Sequence, residues 1–278
     1  MNSLEGKVAL VTGTASKRSM GHTIALRLAR EGANVVVVDK YAAPRSLFSG
    51  DEGWGGLDAE VAEIKSLGRE ALAVVADVSS TQEVDKTVAK ALERFKKIDI
   101  LVHCAAIRGP VATPIVELAE EDWRKILDVN LTGAFLISKA VAKSMVKKGE
   151  GGKIVLIASM ASTHGDSGSG AYCASKWGVI GLVQTLALEL APHKINVNAI
   201  NPGVFRTNLR DEVFANQAQA EGITTNEARD KFYQKMIAMI PMGRIGTTDD
   251  IADLVFFLVS SQSDYITGQA INIGGGVA

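Results

Sequence analysis

KVALVTGTASKRSMGHTIALRLAREGANVVVVD, running from Lys7 to Asp39, changes its period twice. KVALVTG is an apolar, β-branched run, the pattern of a strand buried on both faces. In GHTIALRLAREGA the residues Ile24, Ala25, Leu28 and Ala29 fall on one stripe of a helix, and Gly32 supplies its stop. NVVVVD is again a buried strand. Strand, glycine turn, helix and strand in this order make a βαβ unit. At its turn, backbone N–H groups and the positive end of the helix dipole are placed to hold phosphate.

A glycine turn with an acid at the end of the second strand is the arrangement that binds a dinucleotide. Asp39 stands eighteen positions past Gly21, close to the roughly 20 at which a carboxylate accepts from the ribose hydroxyls. The alternation then continues: helix DAEVAEIKSLG, strand EALAVVAD, helix TQEVDKTVAKALERF, strand DILVHCAA, and one long helix from about Glu120 to Lys148. Strand IVLIA, a helix carrying Tyr172, strand KINVNAIN, helix TDDIADLVFFLVS and strand QAINIGGG complete the chain. With no composition break or Pro/Ser-rich linker, residues 1–278 read as one α/β domain. Two stretches depart from the rhythm. Residues 41–58, YAAPRSLFSGDEGWGGLD, exceed the usual two to six of such a connection. This insertion leaves the strand end expected to carry a ribose and reads either as a flap over that half of a cofactor or as a surface loop, with Phe48 and Trp54 to pack. Residues 204–242 are a candidate substrate lid, whose Phe214, Ile223, Phe232, Tyr233, Met236, Ile237 and Met239 serve equally well as plain packing.

Chemistry concentrates in SMASTHGDSGSGAYCASK, Ser159 to Lys176. Tyr172 and Lys176 lie four apart in a largely apolar helix and so leave the same face. A phenol of unperturbed pKa about 10 is a poor base at neutral pH, and a neighbouring ammonium lowers that value. Ser159 follows a buried strand, so its hydroxyl falls at the carboxyl end, where open α/β sheets place ligands. A carbonyl can be held between Ser159 and Tyr172. Alone, the Tyr/Lys spacing is as compatible with a packed ring and a solvated amine; its weight comes from context.

That context resembles the short-chain dehydrogenase/reductase family over nearly the whole chain. The resemblance rests on VTG at Val11 to Gly13, Asp39 after VVVV, Asp77 with Val78, DVN ending at Asn130, Ser159 thirteen residues before Tyr172, Lys176, and NPG from Asn201 to Gly203. It implies a doubly wound Rossmann-type, mostly parallel seven-stranded sheet and a homotetramer. It also implies a catalytic set of Asn130, Ser159, Tyr172 and Lys176, with Asn130 helping to hold a water beside the lysine. Cofactor contacts are implied at Gly13, Ser19, Met20, Gly21, Asp39, Asp77, Val78, Ala105, Tyr172, Lys176, Pro202, Gly203, Val204 and Thr207. Two departures matter. TGTASKRSMG is two residues longer than the family's TGxxxGxG and puts Ser19 at the middle glycine, which is similar to the enoyl reductase branch. That branch spaces its tyrosine and lysine further apart, so the four-residue step here places the chain in the main group. HCAA also replaces the family's NNAG, leaving the packing at that strand end open.

The function implied is NAD(H)-dependent interconversion of a secondary alcohol and its ketone. NAD is expected over NADP because the Asp39 carboxylate would face the 2′-phosphate, although Arg18 and Lys40 stand near places where NADP-preferring relatives carry a basic residue. Polar lid residues Arg206, Asn208, Arg210, Asn216 and Gln217 point to a polyol, sugar or other small hydroxylated substrate. The alternatives are a 3-oxoacyl thioester (acyl-carrier-protein) reductase and a non-catalytic dinucleotide-binding regulator. Thirty basic against thirty-one acidic residues leave a net charge of −1, with no basic helix face for nucleic acid. No apolar run approaches the roughly 18 residues of a spanning helix, and a first strand near Lys7 leaves no room for a signal peptide, so a cytoplasmic protein is expected. Cys104 and Cys173 lack disulfide or metal-ligand spacing, and His22, His103, His164 and His193 are scattered, so no metal is expected.

Overall fold

Strand β1 (Val8–Thr12) is buried at every residue, as its unbroken apolar run requires, and leads through the glycine turn into helix α1 (Met20–Arg30) and β2 (Asn34–Asp39). The computed structural model describes residues 4–44 and 51–277. After β2 come α2 (Leu57–Ser66), β3 (Ala71–Val75), α3 (Thr81–Phe95) and β4 (Ile100–His103). The second half holds α4 (Glu120–Leu127), α5 (Gly133–Lys148), β5 (Gly152–Ile157), α6 (Gly170–Leu190) and β6 (Ile195–Pro202). Helices α7 (Asp211–Glu221), α8 (Thr225–Met239) and α9 (Thr248–Val259) precede β7 (Ala270–Ile273). The seven strands form one sheet in the order β3-β2-β1-β4-β5-β6-β7, and every pairing is parallel.

Alternate strand residues feed two cores, which is why the strands read as continuous apolar runs. Leu10, Val36, Leu101 and Leu156 pack with α3, α5 and α6 on one face. Ala9, Val35, Val102 and Val155 pack with α1, α2 and α9 on the other. Strand order reverses between β1 and β4, and the carboxyl ends at that reversal are where an open sheet binds its ligand.

Two sequence expectations are corrected and one left open is resolved. The helix expected from Glu120 to Lys148 is interrupted by a π-turn at Asp128–Thr132, closed by the Gly133 N–H on the Asp128 carbonyl. The extra residue in that turn carries Asn130 inward, where it is 1% exposed. The insertion is shorter than 41–58, because α2 starts at Leu57; Phe48 lies outside the described residues. Within the expected lid, Phe214, Tyr233 and Ile240 make a small core with Ile245 just beyond it and Phe232 against it, so these aromatics pack while the residues ahead of them face the site.

The end of β1 is tied to β4 by one hydroxyl. Thr12 Oγ1 accepts the N–H groups of Cys104 and Ala105, each at 3.1 Å, so its proton goes to His103 Nδ1 at 2.9 Å. This settles the packing left open by HCAA: the imidazole takes a hydrogen bond at Nδ1, and burial drops its pKa to about 3, keeping it neutral. Thr12→Val, which keeps the shape and removes the hydroxyl, strands two donors and an acceptor at roughly 1–3 kcal/mol each. A stability loss of at least about 2 kcal/mol is expected, seen as a lower urea midpoint at unchanged slope; Thr12→Ser should retain most of the wild-type midpoint.

Candidate active site

The carboxyl ends of the strands open into a cavity of about 990 Å³. Its wall contains Gly13, Ser19, Met20, Gly21, Asp39, Asp77, Val78, Ala105, Ser159, Tyr172, Lys176, Pro202, Gly203, Val204 and Thr207. Asn130 is not part of that wall. From the π-turn its side chain grips the backbone of Ile107 in both directions, accepting its N–H at 2.8 Å and donating to its carbonyl at 2.9 Å. It also donates to Ser175 Oγ at 3.1 Å, so it positions the segment after β4 next to the residue that precedes Lys176.

Tyr172 lies in the first turn of α6, and Lys176 follows one turn on beneath it. The ammonium is 3% exposed and donates to the Ile157 carbonyl at 2.9 Å, with Nζ 5.8 Å from the centre of the Tyr172 ring. Burial by itself would raise the phenol, but the Lys176 and Arg108 cations and the Ser159 hydroxyl outweigh it, and Tyr172 ends below its usual value. Burial likewise pulls Lys176 below the usual amine value, opposed by Tyr172. Ser159 caps the short turn after β5 by accepting the Ala161 N–H at 3.1 Å, which anchors its oxygen at the strand end. The arrangement can accept a proton from, or return one to, an oxygen lying between Ser159 and Tyr172.

In the other half of the cavity the backbone itself is the binding surface. Gly13, at φ +76°, could not carry a side chain: a Cβ there would stand 2.8 Å from the Ala105 nitrogen. At Gly21 a Cβ would stand 2.4 Å from the Gly13 carbonyl oxygen. Ser19, in place of the family's middle glycine, caps α1 by accepting the His22 N–H at 3.0 Å. Asp39 accepts the N–H groups of Ala15 at 3.0 Å and Tyr41 at 3.2 Å; burial raises its carboxyl and these backbone donors lower it. A glycine cradle before a helix amino terminus, with a carboxylate at the end of β2, fits a dinucleotide.

The two basic residues expected to compete with Asp39 are engaged elsewhere. Lys40 Nζ pairs with Asp77 at 2.7 Å. Arg18 pairs with Asp51 of the insertion at 3.2 Å and with both oxygens of Asp211 at the start of α7. Asp51 also takes the Lys17 N–H at 2.9 Å and the Ser16 hydroxyl at 3.0 Å, while the Trp54 indole N–H donates to the Ala15 carbonyl at 2.9 Å. The insertion therefore clasps the outside of the glycine loop, and Arg18 ties both to the lid.

At the far end, Arg108 and Arg210 line the cavity beside Tyr172. Of the polar lid residues expected to face a substrate, Asn208 and Arg210 do line it. Arg206 instead stacks on Tyr233 at 4.7 Å, and Gln217 bonds Glu221 at 2.8 Å. Sequence reasoning overlooked Arg108 and Asp51. A clue to Arg108 was available, since it follows the carboxyl end of β4 by five residues, where ligand contacts concentrate. Among the described residues no cluster of His, Cys, Asp or Glu suits a metal, and no helix is long and apolar enough to cross a membrane.

A family model described as enoyl-(acyl carrier protein) reductase matches residues 13–278. Sorbitol dehydrogenase of Cereibacter sphaeroides is 36% identical over 273 residues, covering 98% of each chain. A 3-oxoacyl-[acyl-carrier-protein] reductase of Synechocystis is 37% identical over 278 residues, 100% of this chain and 99% of that protein. Among solved structures, an NAD⁺-bound xylitol dehydrogenase superposes with a TM-score of 0.84 at 33% identity, covering 98% of this chain and 99% of that one.

The cations around Tyr172 yield a spectroscopic test. The phenolate absorbance that disappears in Tyr172→Phe should titrate below the ordinary phenol range. Lys176→Met removes the largest lowering influence and leaves burial to dominate, so the same signal is expected to move to higher pH. A midpoint that stays put in Lys176→Met would separate the lysine from the phenol's acidity.

Proposed function

The chain belongs to the short-chain dehydrogenase/reductase family, and we propose that it is an NAD(H)-dependent oxidoreductase interconverting a secondary alcohol and its ketone. The observation that carries this reading is the buried phenol of Tyr172, held below its usual value by Lys176 and sharing one cavity wall with Ser159. In the oxidising direction Tyr172 as phenolate takes the hydroxyl proton, and Ser159 donates to the same oxygen to fix its direction. Lys176 lowers the cost of forming the phenolate, and Asn130 holds the Ile107 segment against the site. A bound NAD supplies the acceptor for the hydrogen that leaves carbon with its bonding pair. In reduction the proton returns from Tyr172 to the carbonyl oxygen.

Gly13, Ser19, Met20 and Gly21 would hold the pyrophosphate, Asp39 the adenosine ribose, Asp77, Val78 and Ala105 the adenine side, and Pro202, Gly203, Val204 and Thr207 the nicotinamide. In this reading the insertion braces the adenosine half through Asp51 and Trp54, and the 204–242 segment covers the substrate. A 3-oxoacyl thioester reductase is the second reading, favoured by the Synechocystis relative. The family model's description names enoyl reduction, but Tyr172 and Lys176 one helical turn apart suit proton transfer to oxygen. A coupled assay with polyols, a 3-oxoacyl thioester and an enoyl thioester separates the three.

Tyr172→Phe is expected to remove at least nine-tenths of turnover while leaving NADH affinity within a few fold, measured by steady-state rates and NADH fluorescence. Retained turnover would sink the proton-transfer assignment.

Cofactor choice turns on Asp39. Two like charges about 4 Å apart repel by about 1 kcal/mol in bulk water and several times that near a protein surface. With Lys40 and Arg18 engaged by acids, kcat/KM should favour NAD over NADP at least tenfold, and Asp39→Ser should narrow the ratio from both sides. A wild-type preference for NADP would show that the basic residues outweigh the carboxylate.

A further inference from the structure

The substrate end of the cavity holds more positive charge than proton transfer needs. Arg108 is 9% exposed and lies over the phenol, its Cζ 4.3 Å from the centre of the Tyr172 ring. Its Nη2 reaches Asp166 and Ser169 Oγ, each at 3.1 Å, but its Nε is buried with no partner among the described residues. Arg210 lies across the same space with its Cζ 4.7 Å from the centre of the Phe232 ring, and it forms no salt bridge with a carboxylate among the described residues. The neighbouring Asp211 is taken by Arg18. Of the further acids that α4, the turn after it and the lid bring to the cavity wall, Glu120, Glu121, Asp128 and Glu212 are solvent-facing and Asp122 is half-buried, and Glu120 already accepts from Arg124 at 2.6 Å. Arg108 therefore has one carboxylate partner, Asp166, whose side chain is half exposed, and Arg210 has none among the described residues.

A buried guanidinium without its counterion is unfavourable, and an incoming anion that accepts its N–H groups in pairs reverses the balance. Resting on the alcohol–ketone reading, we propose that the substrate is an anionic secondary alcohol, a hydroxy acid or a phosphorylated hydroxy compound. Its carboxylate or phosphate is gripped by Arg108 and Arg210 while its carbinol carbon faces Ser159 and Tyr172. Burial chiefly, and then the Arg108 cation, bring the Arg210 pKa down to about 10, in keeping with a guanidinium that lacks a paired carboxylate. The planar fork suits a carboxylate or phosphate and is wasted on a neutral polyol, whose hydroxyls need no net charge to hold them.

The test compares matched probes with NAD: sorbitol against gluconate and sorbitol 6-phosphate, and 2-butanol against 3-hydroxybutyrate. In each set an anionic member should exceed the neutral one at least tenfold in kcat/KM, and which anion wins distinguishes carboxylate from phosphate. Arg210→Leu should cut that advantage at least tenfold, mostly through KM, and Arg210→Lys should restore part of it. As a readout independent of turnover, acetoacetate should raise the melting temperature of the NADH-loaded protein more than 2-butanone does, and Arg210→Leu should abolish the difference. If the neutral members are used as well as the anionic ones, the anion site is overturned and the alcohol–ketone reading stands. If nothing is turned over but acetoacetate still protects through Arg210, that reading falls and the anion site stands. If neither turnover nor protection is seen, both fall.

Discussion

The Lys176 ammonium is a charge buried almost completely, and among the described residues no carboxylate neutralises it. Among the described residues its one hydrogen-bond partner is the Ile157 carbonyl. An isolated ammonium in such a place is expensive, so the group either gives up its proton or induces a negative charge nearby. Both tendencies are present: burial pulls Lys176 down, and Lys176 pulls the Tyr172 phenol down with it. The other titratable groups close by are kept out of the exchange. Burial drops His103 to about 3 and raises the Cys104 thiol to about 12, so neither carries charge near neutral pH. The phenol is left as the group on which the field of the lysine acts.

That arrangement needs an unpaired carbonyl at one point in the sheet. Ala158 N–H bonds Ile200 on β6, so the peptide groups of Ile157 face the opposite side, toward β4. Pairing of β4 with β5 stops at His103 opposite Leu156, one residue short of Ile157. It stops there because Thr12 takes the next two N–H groups of that chain, Cys104 and Ala105, toward β1. A threonine on β1 thus frees a carbonyl on β5 that holds a lysine on α6. The link lies at the carboxyl ends of the strands beside the reversal of strand order between β1 and β4, where an open sheet places its ligand.

Much of this was legible in the sequence because period and local chemistry specify it. The alternation from Lys7 to Asp39 is a matter of which residues can be buried on two faces of a sheet, and the β1–α1–β2 boundaries follow it closely. Tyr172 and Lys176 needed only helical spacing, and Asp39 only the end of a strand. Less legible was anything decided by contact across long sequence separations. The π-turn at Asp128–Thr132 exists to bring Asn130 onto the Ile107 backbone, and no local pattern announces a turn one residue wider than its neighbours. Arg18 reads from its neighbours as a phosphate ligand. Its partners, Asp51 and Asp211, lie 33 and 193 residues away, and only the fold shows that it is tied to them. Arg108 was hidden for the same reason: the ring beneath it, Tyr172, belongs to a helix far along the chain.

The charges that set the acidity of Tyr172 also bear on what can lie against it. Lys176, Arg108 and, from the lid, Arg210 all favour the phenolate. A phenolate formed under three cations leaves a net positive surface, so an anion placed beside Arg108 and Arg210 would meet attraction even with Tyr172 ionised. It would also oppose those cations and raise the phenol toward its ordinary value. Bound anion and acidic phenol therefore compete for the same field. Lys176 is held by the Ile157 carbonyl with its Nζ 5.8 Å from the ring centre, so an anion gripped by the arginines would leave it in place. In the proposed mechanism Lys176 serves the phenol, while Arg108 and Arg210 are left to hold the anion. This division of labour is a property of where β5 ends and of which face of α6 the tyrosine and lysine share.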